Sequence, residues 1–339
     1  MNSPPRPARL PPMAVTASNG TAPHGTAPHG TAPKGTAPQA TTRPDNGKPL
    51  QCRSSVWLPG EASARRYARL TDLERYDLRT AVVMLFPRGT PPAEVERVAR
   101  ATELLREAGA PVPVLHDRDA GAGWILQEDL GDVTLASALP GAAPDDVARW
   151  YAEALDVLPP LARLGPLSTS PQPPLDALRL RRELDLFAAG ALRLEEPPGP
   201  WLDADLRALV DACTALPVVL CHRDYHARNL MLHEGRVRVI DHQDALPGPE
   251  PYDRASLAYD PYVELPDAQR DALAGARPGT AAVAVQRLCK AIGTYADKGA
   301  KWLPCIAPAA RQARRLIARD GLRLPVLDAC LAPLALARA

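Results

Sequence analysis

Three polar residues within one short stretch have the types and spacing that transfer of a phosphoryl group from a nucleotide requires. Asp224 follows an apolar run, Asn229 lies five residues later, and Asp241 ends a second apolar run. In this chemistry one carboxylate accepts the proton of the attacking hydroxyl, while an amide and a second carboxylate hold Mg²⁺ beside the polyphosphate. We therefore predict that Asp224 is the general base and that Asn229 and Asp241 are ligands of Mg²⁺.

The same residue types also occur in ordinary turns, where Asp and Asn bond their own backbone. For any one of the three residues that structural explanation is sufficient. Their combination favours the chemical interpretation, because they lie on a predicted strand, a polar loop and a hairpin that turns at Glu234 and Gly235.

Length and composition indicate an ordinary globular protein. The 339 residues are 46% hydrophobic and 23% charged, and the net charge of +1 argues against a dedicated binder of nucleic acid or of a membrane surface. No apolar run is long enough to span a membrane, and the proline-broken N-terminus lacks the apolar region of a secretory signal. Six cysteines without CxxC spacing predict reduced thiols, so we expect a cytoplasmic protein.

Three regions are predicted along the chain. Residues 1–48 repeat GTAPH-like pentapeptides and are rich in Pro, Ala, Thr and Gly, which indicates a disordered tail. Residues 49–132 form a sheet lobe that ends in an acidic hinge, and residues 133–339 form a helical lobe that holds the hairpin. This plan predicts an α+β, two-lobed protein-kinase-like fold, with a small antiparallel sheet lobe and a larger, mainly helical lobe.

Hydrophobic periodicity predicts the individual elements. In the sheet lobe we expect a strand, a turn at Gly60 and a returning strand, then a helix opened by Pro91 and Pro92, and further strands at 79–86, 112–115 and 123–127. In the helical lobe we expect helices at 145–164, 175–189 and 204–215, and again from about residue 252.

Five motifs carry a resemblance to a known family: GEASARRY at 60–67, LQEDLGD at 126–132, HRDYHARNLM at 222–231, VIDHQDA at 239–245 and PYDRASL at 251–257. With these motifs the chain resembles the aminoglycoside phosphotransferase-like branch of the kinase superfamily, over roughly residues 57–315. Within that branch it is most similar to the bacterial anomeric kinases that phosphorylate N-acetylmuramate and N-acetylglucosamine at C1.

The resemblance implies an ATP-dependent sugar kinase of cell-wall sugar recycling, with ATP and Mg²⁺ as cofactors and a small-molecule sugar as substrate. It also implies that backbone amides in the turn at Gly60, together with Ser63, cover the ATP phosphates. Main-chain groups at Gln127, Glu128 and Leu130 would meet the adenine. An ordinary hairpin turn is the alternative interpretation of the stretch around Gly60.

One departure from the kinase pattern concerns the third strand, where kinases have a lysine for the α- and β-phosphates. No lysine occurs between positions 49 and 289, and Met84 lies about where that lysine would be. The charge would then come from an arginine, since a guanidinium binds phosphate oxygens in bidentate fashion. Arg65, Arg66 and Arg69 are the candidates, and Arg65 is our choice; solvated arginines on a hairpin are the alternative.

Four further residues receive supporting roles by the same resemblance. Asp253 would orient the catalytic loop from beneath, and Asp244 would lie behind the metal site or near the sugar. The imidazoles of His222 and His226 would bond nearby backbone and so act structurally.

Two rival functions remain open. The same fold could phosphorylate an aminoglycoside or an amino alcohol, since the acceptor-binding residues cannot be recognised in the sequence. Alternatively, the missing lysine could indicate a nucleotide-binding pseudokinase that acts as an interaction module. The retained set of Asp224, Asn229 and Asp241 argues against this second alternative, because a non-catalytic scaffold has no need of a metal pair.

Overall fold

The computed structural model describes residues 50–59, 64–164, 173–194 and 198–336. The proline-rich segment at residues 1–48 lies outside the described residues, so its disorder stays a prediction. The described residues belong to one compact unit, residues 39–339. Within that unit a small sheet comes first along the chain and helices follow.

The first lobe is a five-stranded antiparallel sheet with the order β1-β2-β3-β5-β4. Its strands are β1 (Ser54–Trp57), β2 (Arg66–Leu73), β3 (Leu78–Leu85), β4 (Leu115–Asp119) and β5 (Trp124–Gln127). Ala68, Leu70 and Leu73 of β2 are buried in the core of this lobe. The predicted pair of strands on either side of Gly60 is confirmed by the pairing of β1 with β2, as is the buried strand that follows.

The strand predicted over residues 112–115 was placed too early. β4 begins only at Leu115, because Pro111 and Pro113 have no N–H to donate to a β-ladder. Val112 packs instead with buried residues of the helical lobe, such as Leu220. This segment therefore connects the sheet lobe to the core of the helical lobe.

One helix of the sheet lobe, α1 (Pro92–Glu107), is confirmed where it was predicted. Pro92 lies in its first turn, where a missing N–H costs no helical hydrogen bond. Val95 and Val98 lie on one face and pack against Met84 of β3. Gly109, at a φ of 87°, follows the end of the helix.

The second lobe is mainly helical. Its helices are α2 (Leu135–Ala138), α3 (Pro144–Arg163), α4 (Ala177–Gly190), α5 (Pro200–Thr214), α6 (Tyr252–Ala258), α7 (Asp267–Ala274), α8 (Thr280–Lys298), α9 (Ile306–Arg319) and α10 (Pro325–Leu336). The long helix α8 is buried along most of its length and packs on α4, α5, α6 and α9. Gly293 permits the close contact with α4, since a Cβ there would lie 2.7 Å from the backbone of Phe187.

Two pairs of short strands interrupt the helices. The predicted hairpin is confirmed as β7 (Leu230–His233) and β8 (Arg236–Val239), which pair through the turn at Glu234 and Gly235. The predicted strand β6 (Val218–Cys221) is also confirmed, and it pairs with β9 (Leu246–Pro249). The sequence did not predict β9, because its two prolines are atypical of a strand.

The two-lobed α+β fold is thus confirmed. Among the described residues, none of the helices combines the length and apolar character that crossing a membrane requires.

Candidate active site

The loop between β6 and β7 contains Asp224 and Asn229, and Asp253 on α6 holds it from beneath. The buried carboxylate of Asp253 accepts hydrogen bonds from the backbone N–H groups of His222, at 2.6 Å, and Arg223, at 2.9 Å. Arg223 has a φ of 80°, in a region that non-glycine residues rarely adopt. The two hydrogen bonds stabilise this strained turn immediately before Asp224, as the sequence predicted for Asp253.

Asn229 and Asp241 are joined by the backbone of the hairpin. Asn229 Nδ2 donates to the backbone carbonyl of Asp224 at 2.9 Å. The N–H of Ile240 donates to the carbonyl of Asn229 at 3.0 Å. Asp241 follows directly, with a φ of 60° and an exposed side chain. The three residues predicted to do chemistry therefore converge at one end of the hairpin.

The oxygen donors at this place fit Mg²⁺ with a nucleotide better than a metal held by protein alone. In the described part of the chain, no group of three or more His, Cys, Asp or Glu could hold a metal ion. Since the amide nitrogen of Asn229 is bonded to Asp224, the amide oxygen is the atom that could bind a cation beside Asp241. Mg²⁺ binds through one or two such ligands and takes the remainder from waters and phosphates.

The electrostatic surroundings of Asp224 favour its charged form. Removal from bulk water raises the pKa of this carboxyl, but nearby positive charges, those of Lys290, Arg287 and Arg223, outweigh it and hold the pKa well below its usual value. Lys290 on α8 forms an ion pair with Asp224, in which Nζ lies 3.3 Å from Asp224 Oδ1. Asp224 therefore stays an ionised hydrogen-bond acceptor at neutral pH.

Two helices of the second lobe anchor the loop through Arg223. The Arg223 guanidinium donates to the buried carboxylate of Glu183 on α4 at 2.9 Å, and Gln286 on α8 donates to the other oxygen at 3.0 Å. Sequence reasoning missed Glu183 and Lys290, because both lie far along the chain from the residues they contact. Glu183 is 40 positions from Arg223, and Lys290 is 66 positions from Asp224. The rarity of lysine was the one sequence signal that could have pointed to Lys290.

The two histidines of the loop have structural contacts. His222 Nε2 donates to the carbonyl of Ile240 at 2.9 Å, so this imidazole bonds backbone as predicted. The ring of His226 lies edge-on to Tyr262, with centroids 5.0 Å apart. Both imidazoles therefore stabilise the loop.

The structure distinguishes between the three candidate arginines. Arg69 binds Asp129 and Asp132 of the hinge, with the shortest contact at 2.7 Å, and is thereby used within the sheet lobe. The guanidinium of Arg66 lies 3.8 Å above the ring of Trp57, on the neighbouring strand β1. In the contacts of the described residues, neither arginine meets the end of the hairpin.

Arg65 is the arginine that lies near the predicted metal site. Its side chain is only 14% exposed, and its Nη2 is 3.8 Å from Asp244 Oδ1, three residues after Asp241. Burial, with the charge of Asp241, raises the pKa of neighbouring Tyr67 to about 12, while Arg65 acts in the opposite direction. Arg65, Tyr67 and Asp241 thus share one electrostatic environment. Met84 is buried in an apolar cluster under α1, so no charge comes from its position.

The hinge residues have several internal contacts. Glu128 binds Arg238 of the hairpin through both carboxylate oxygens, at 3.0 and 2.6 Å, and also accepts the N–H of Val114. Its own N–H donates to Val114 O at 2.8 Å, so this N–H is already used within the protein. Gln127 pairs within the sheet as the last residue of β5, and Leu130 is buried.

The contact between Glu128 and Arg238 leads to a pH-dependent prediction. Burial raises the pKa of Glu128, but the bonds from Arg238 and Val114 outweigh it, so the folded-state pKa is below the usual value. The resulting stability is present above about pH 4.3 and is lost as the pH falls through the lower folded value. We expect Glu128→Gln to lower the free energy of unfolding by about 1–2 kcal/mol at pH 7.

Urea titrations at several pH values check this prediction. The difference between wild type and Glu128→Gln should shrink as the pH falls from about 5 to about 3. Glu264→Gln, at an exposed position, is the control and should change stability little. A difference between wild type and Glu128→Gln that stays constant over this range would contradict the assignment.

Two residues predicted to bind the nucleotide, Gly60 and Ser63, lie outside the described residues. The strands on both sides of them are described, and Trp57 pairs with Ala68. Their contact with ATP phosphates therefore stays a prediction.

Comparison with known proteins agrees with this fold and site. A family model described as "Phosphotransferase enzyme family" matches residues 57–285, which is more than half of the chain. The protein belongs to this family. The solved structure of choline kinase LicA from Streptococcus pneumoniae has the same fold, with a TM-score of 0.52 at 15% sequence identity, covering 84% of this chain and 95% of that one.

Curated relatives are more similar in sequence. The chain is 34% identical to the N-acetylmuramate/N-acetylglucosamine kinase of Pseudomonas putida over 217 residues, which are 62% of this chain and 60% of that protein. It is 36% identical to the protein of the same name from Pseudomonas aeruginosa, over 61% of this chain and 60% of that one. The matched region thus spans about three fifths of the length of these relatives.

Proposed function

We propose that this protein is an ATP-dependent kinase that phosphorylates a sugar hydroxyl, namely the anomeric C1 hydroxyl of N-acetylmuramate or N-acetylglucosamine. The observation that carries the proposal is the convergence of Asp224, Asn229 and Asp241 at one end of the hairpin. The names of the two Pseudomonas relatives support the choice of acceptor.

In this proposal Asp224 orients the acceptor hydroxyl and takes its proton. An anomeric hydroxyl is more acidic than an ordinary alcohol, so an ionised carboxylate of low basicity is sufficient if the proton moves late. Asn229 and Asp241 would hold Mg²⁺, which supplies neutralisation of the phosphate charge when it is bound. Most of the rate then comes from positioning, and the rigid loop above Asp253 provides it.

The nucleotide would lie between the sheet lobe and the hairpin. The turn with Gly60 and Ser63 would cover the phosphates, and main-chain groups at Gln127, Glu128 and Leu130 would meet the adenine. Arg65 would supply the positive charge that the missing lysine provides in other kinases. Its position beside Asp244 and its slight exposure support this role.

Replacement of Arg65 tests the phosphate contact. We expect Arg65→Met to raise KM for ATP about tenfold and to lower kcat about tenfold, because a bidentate cationic contact to phosphate is lost. Arg66→Met is the matched control, since Arg66 is the next residue and stacks on Trp57; it should change both constants less than about twofold. Equal effects of the two substitutions would assign the phosphate charge to another group.

An acceptor screen tests the proposed function itself. The full chain is incubated with MgATP and N-acetylmuramate, N-acetylglucosamine, aminoglycosides or choline, and ADP release is measured. NMR of the sugar product should show phosphate coupling at C1. Phosphorylation of aminoglycosides or choline, but of neither amino sugar, would overturn the proposed choice of acceptor. Binding of MgATP without turnover of any acceptor would favour a pseudokinase.

A further inference from the structure

Lys290 is a charged residue beside Asp224 that the proposed reaction has not yet used. It lies on α8, and its side chain is 18% exposed, while that of Asp224 is 42% exposed. The ammonium has three N–H donors, and among the described residues its recorded partner is Asp224, at 3.3 Å. Two donors are therefore available to a molecule that binds at Asp224.

The position of α8 indicates which molecule that is. α8 packs against other helices of the second lobe, whereas the nucleotide would lie between the sheet and the hairpin. Lys290 thus reaches Asp224 from the helical lobe. That is the side from which an acceptor hydroxyl approaches if the phosphates occupy the other side.

The protein around Lys290 keeps this side positively charged. Arg287, one turn earlier on α8, is buried and adds its charge near Asp224. The nearby acids are already bonded: Glu183 binds Arg223, and Asp260 accepts the backbone N–H of Ala227 in the loop. Within the described part of the chain, the carboxylate that pairs with Lys290 is that of Asp224, which the acceptor hydroxyl must also contact.

A neighbouring aromatic cluster already has cations beside its rings: Arg228, and also Lys298 and Lys301 near Trp302. Tyr262 and Trp302 could offer their faces to a quaternary ammonium ligand. The guanidinium of Arg228 already lies 4.1 Å from the centre of the Tyr262 ring and 5.1 Å from that of Trp302. These cations disfavour a positively charged ligand at this cluster.

We propose that Lys290 binds an anionic substituent of the acceptor and makes the kinase prefer an amino sugar that carries a carboxylate. The proposal rests on the proposed function. N-acetylmuramate differs from N-acetylglucosamine by a lactyl ether on C3 that ends in a carboxylate, so these two acceptors form a matched pair. The flexible four-carbon stem of lysine allows the ammonium to contact both Asp224 and this carboxylate.

The experiment combines substitution of the protein with substitution of the ligand. We measure kcat/KM of wild type and Lys290→Met for N-acetylmuramate, its neutral methyl ester and N-acetylglucosamine. Lys290→Met should lower kcat/KM for N-acetylmuramate at least about tenfold more than for N-acetylglucosamine, mainly through KM, since loss of a charge-assisted contact has this size. In wild type, kcat/KM for the methyl ester should be lower than that for N-acetylmuramate by a similar factor. In Lys290→Met, kcat/KM should be nearly equal for the acid and its ester.

Controls separate this role from a structural one. Asp297→Asn changes an exposed charged residue near the end of the same helix and should leave all constants unchanged, while Lys290→Arg should keep the preference. Unfolding temperature and MgATP affinity of Lys290→Met should match wild type. An equal loss for the acid and for N-acetylglucosamine would overturn the proposal, because Lys290 would then act through Asp224 alone.

The outcomes also separate this proposal from the proposed function. Turnover of N-acetylglucosamine with no preference for N-acetylmuramate would overturn the role of Lys290 and keep the sugar kinase. If wild type phosphorylates neither sugar, the proposed function fails, and the role of Lys290 fails with it.

Discussion

Asp224→Asn is expected to lower kcat by about a thousandfold while the affinity for MgATP stays within about threefold of wild type. The amide has nearly the shape of the carboxylate but cannot take a proton from the acceptor hydroxyl. Because Asn229 Nδ2 bonds the backbone carbonyl of Asp224 and not its side chain, the substitution should leave the loop intact.

Steady-state turnover and calorimetric titration with MgATP check this expectation. Asp297→Asn is a suitable control, since Asp297 is an exposed carboxylate near the end of α8, and it should retain full activity. If Asp224→Asn kept more than a few per cent of the wild-type rate, Asp224 would not be the base.

Asp253→Ala should lower both stability and activity. It removes the acceptor of two buried N–H groups, those of His222 and Arg223. Each unpaired donor costs roughly 1–2 kcal/mol, so we expect a loss of about 2–4 kcal/mol in the free energy of unfolding. Release of the turn at Arg223 should displace Asp224 and lower kcat about a hundredfold or more.

The pKa of Asp253 indicates that its main role is positional. Burial raises the pKa of this carboxyl, and the bonds from His222 and Arg223 offset the shift only in part. The carboxylate is therefore costly to bury, and its removal is destabilising because the two N–H groups of the turn are left without an acceptor.

Denaturant unfolding and kinetics at a temperature where both proteins stay folded check the prediction for Asp253→Ala. Ser256→Ala, which alters another buried residue of α6, is the control and should keep most of the activity. An Asp253→Ala protein that is destabilised yet turns over at the wild-type rate would show that the turn does not position Asp224.

Local sequence patterns determined most of the elements and the core of the candidate site. Strands β2 and β3 and helix α1 followed from apolar runs and periodicity that a chain of any topology would need. Asp224, Asn229 and Asp241 were recognisable because they lie close together in sequence, on one loop and one hairpin. Chemistry confined to so short a stretch can be read without the rest of the fold.

Tertiary structure decided what depends on distant residues. The strand β9 exists because β6 supplies a partner, although its prolines alone argue against a strand. Arg65, Arg66 and Arg69 are equivalent in the sequence, and only packing places one by Asp244, one on Trp57 and one at the hinge.

Lys290 lies 66 positions from Asp224 along the chain, so only the packing of α8 against the second lobe brings its ammonium to that carboxylate. The sequence by itself therefore determined the fold class and the residues proposed to act on phosphate. The folded chain decided which charges surround them, because ion pairs between distant segments form only once the helices and the sheet have packed.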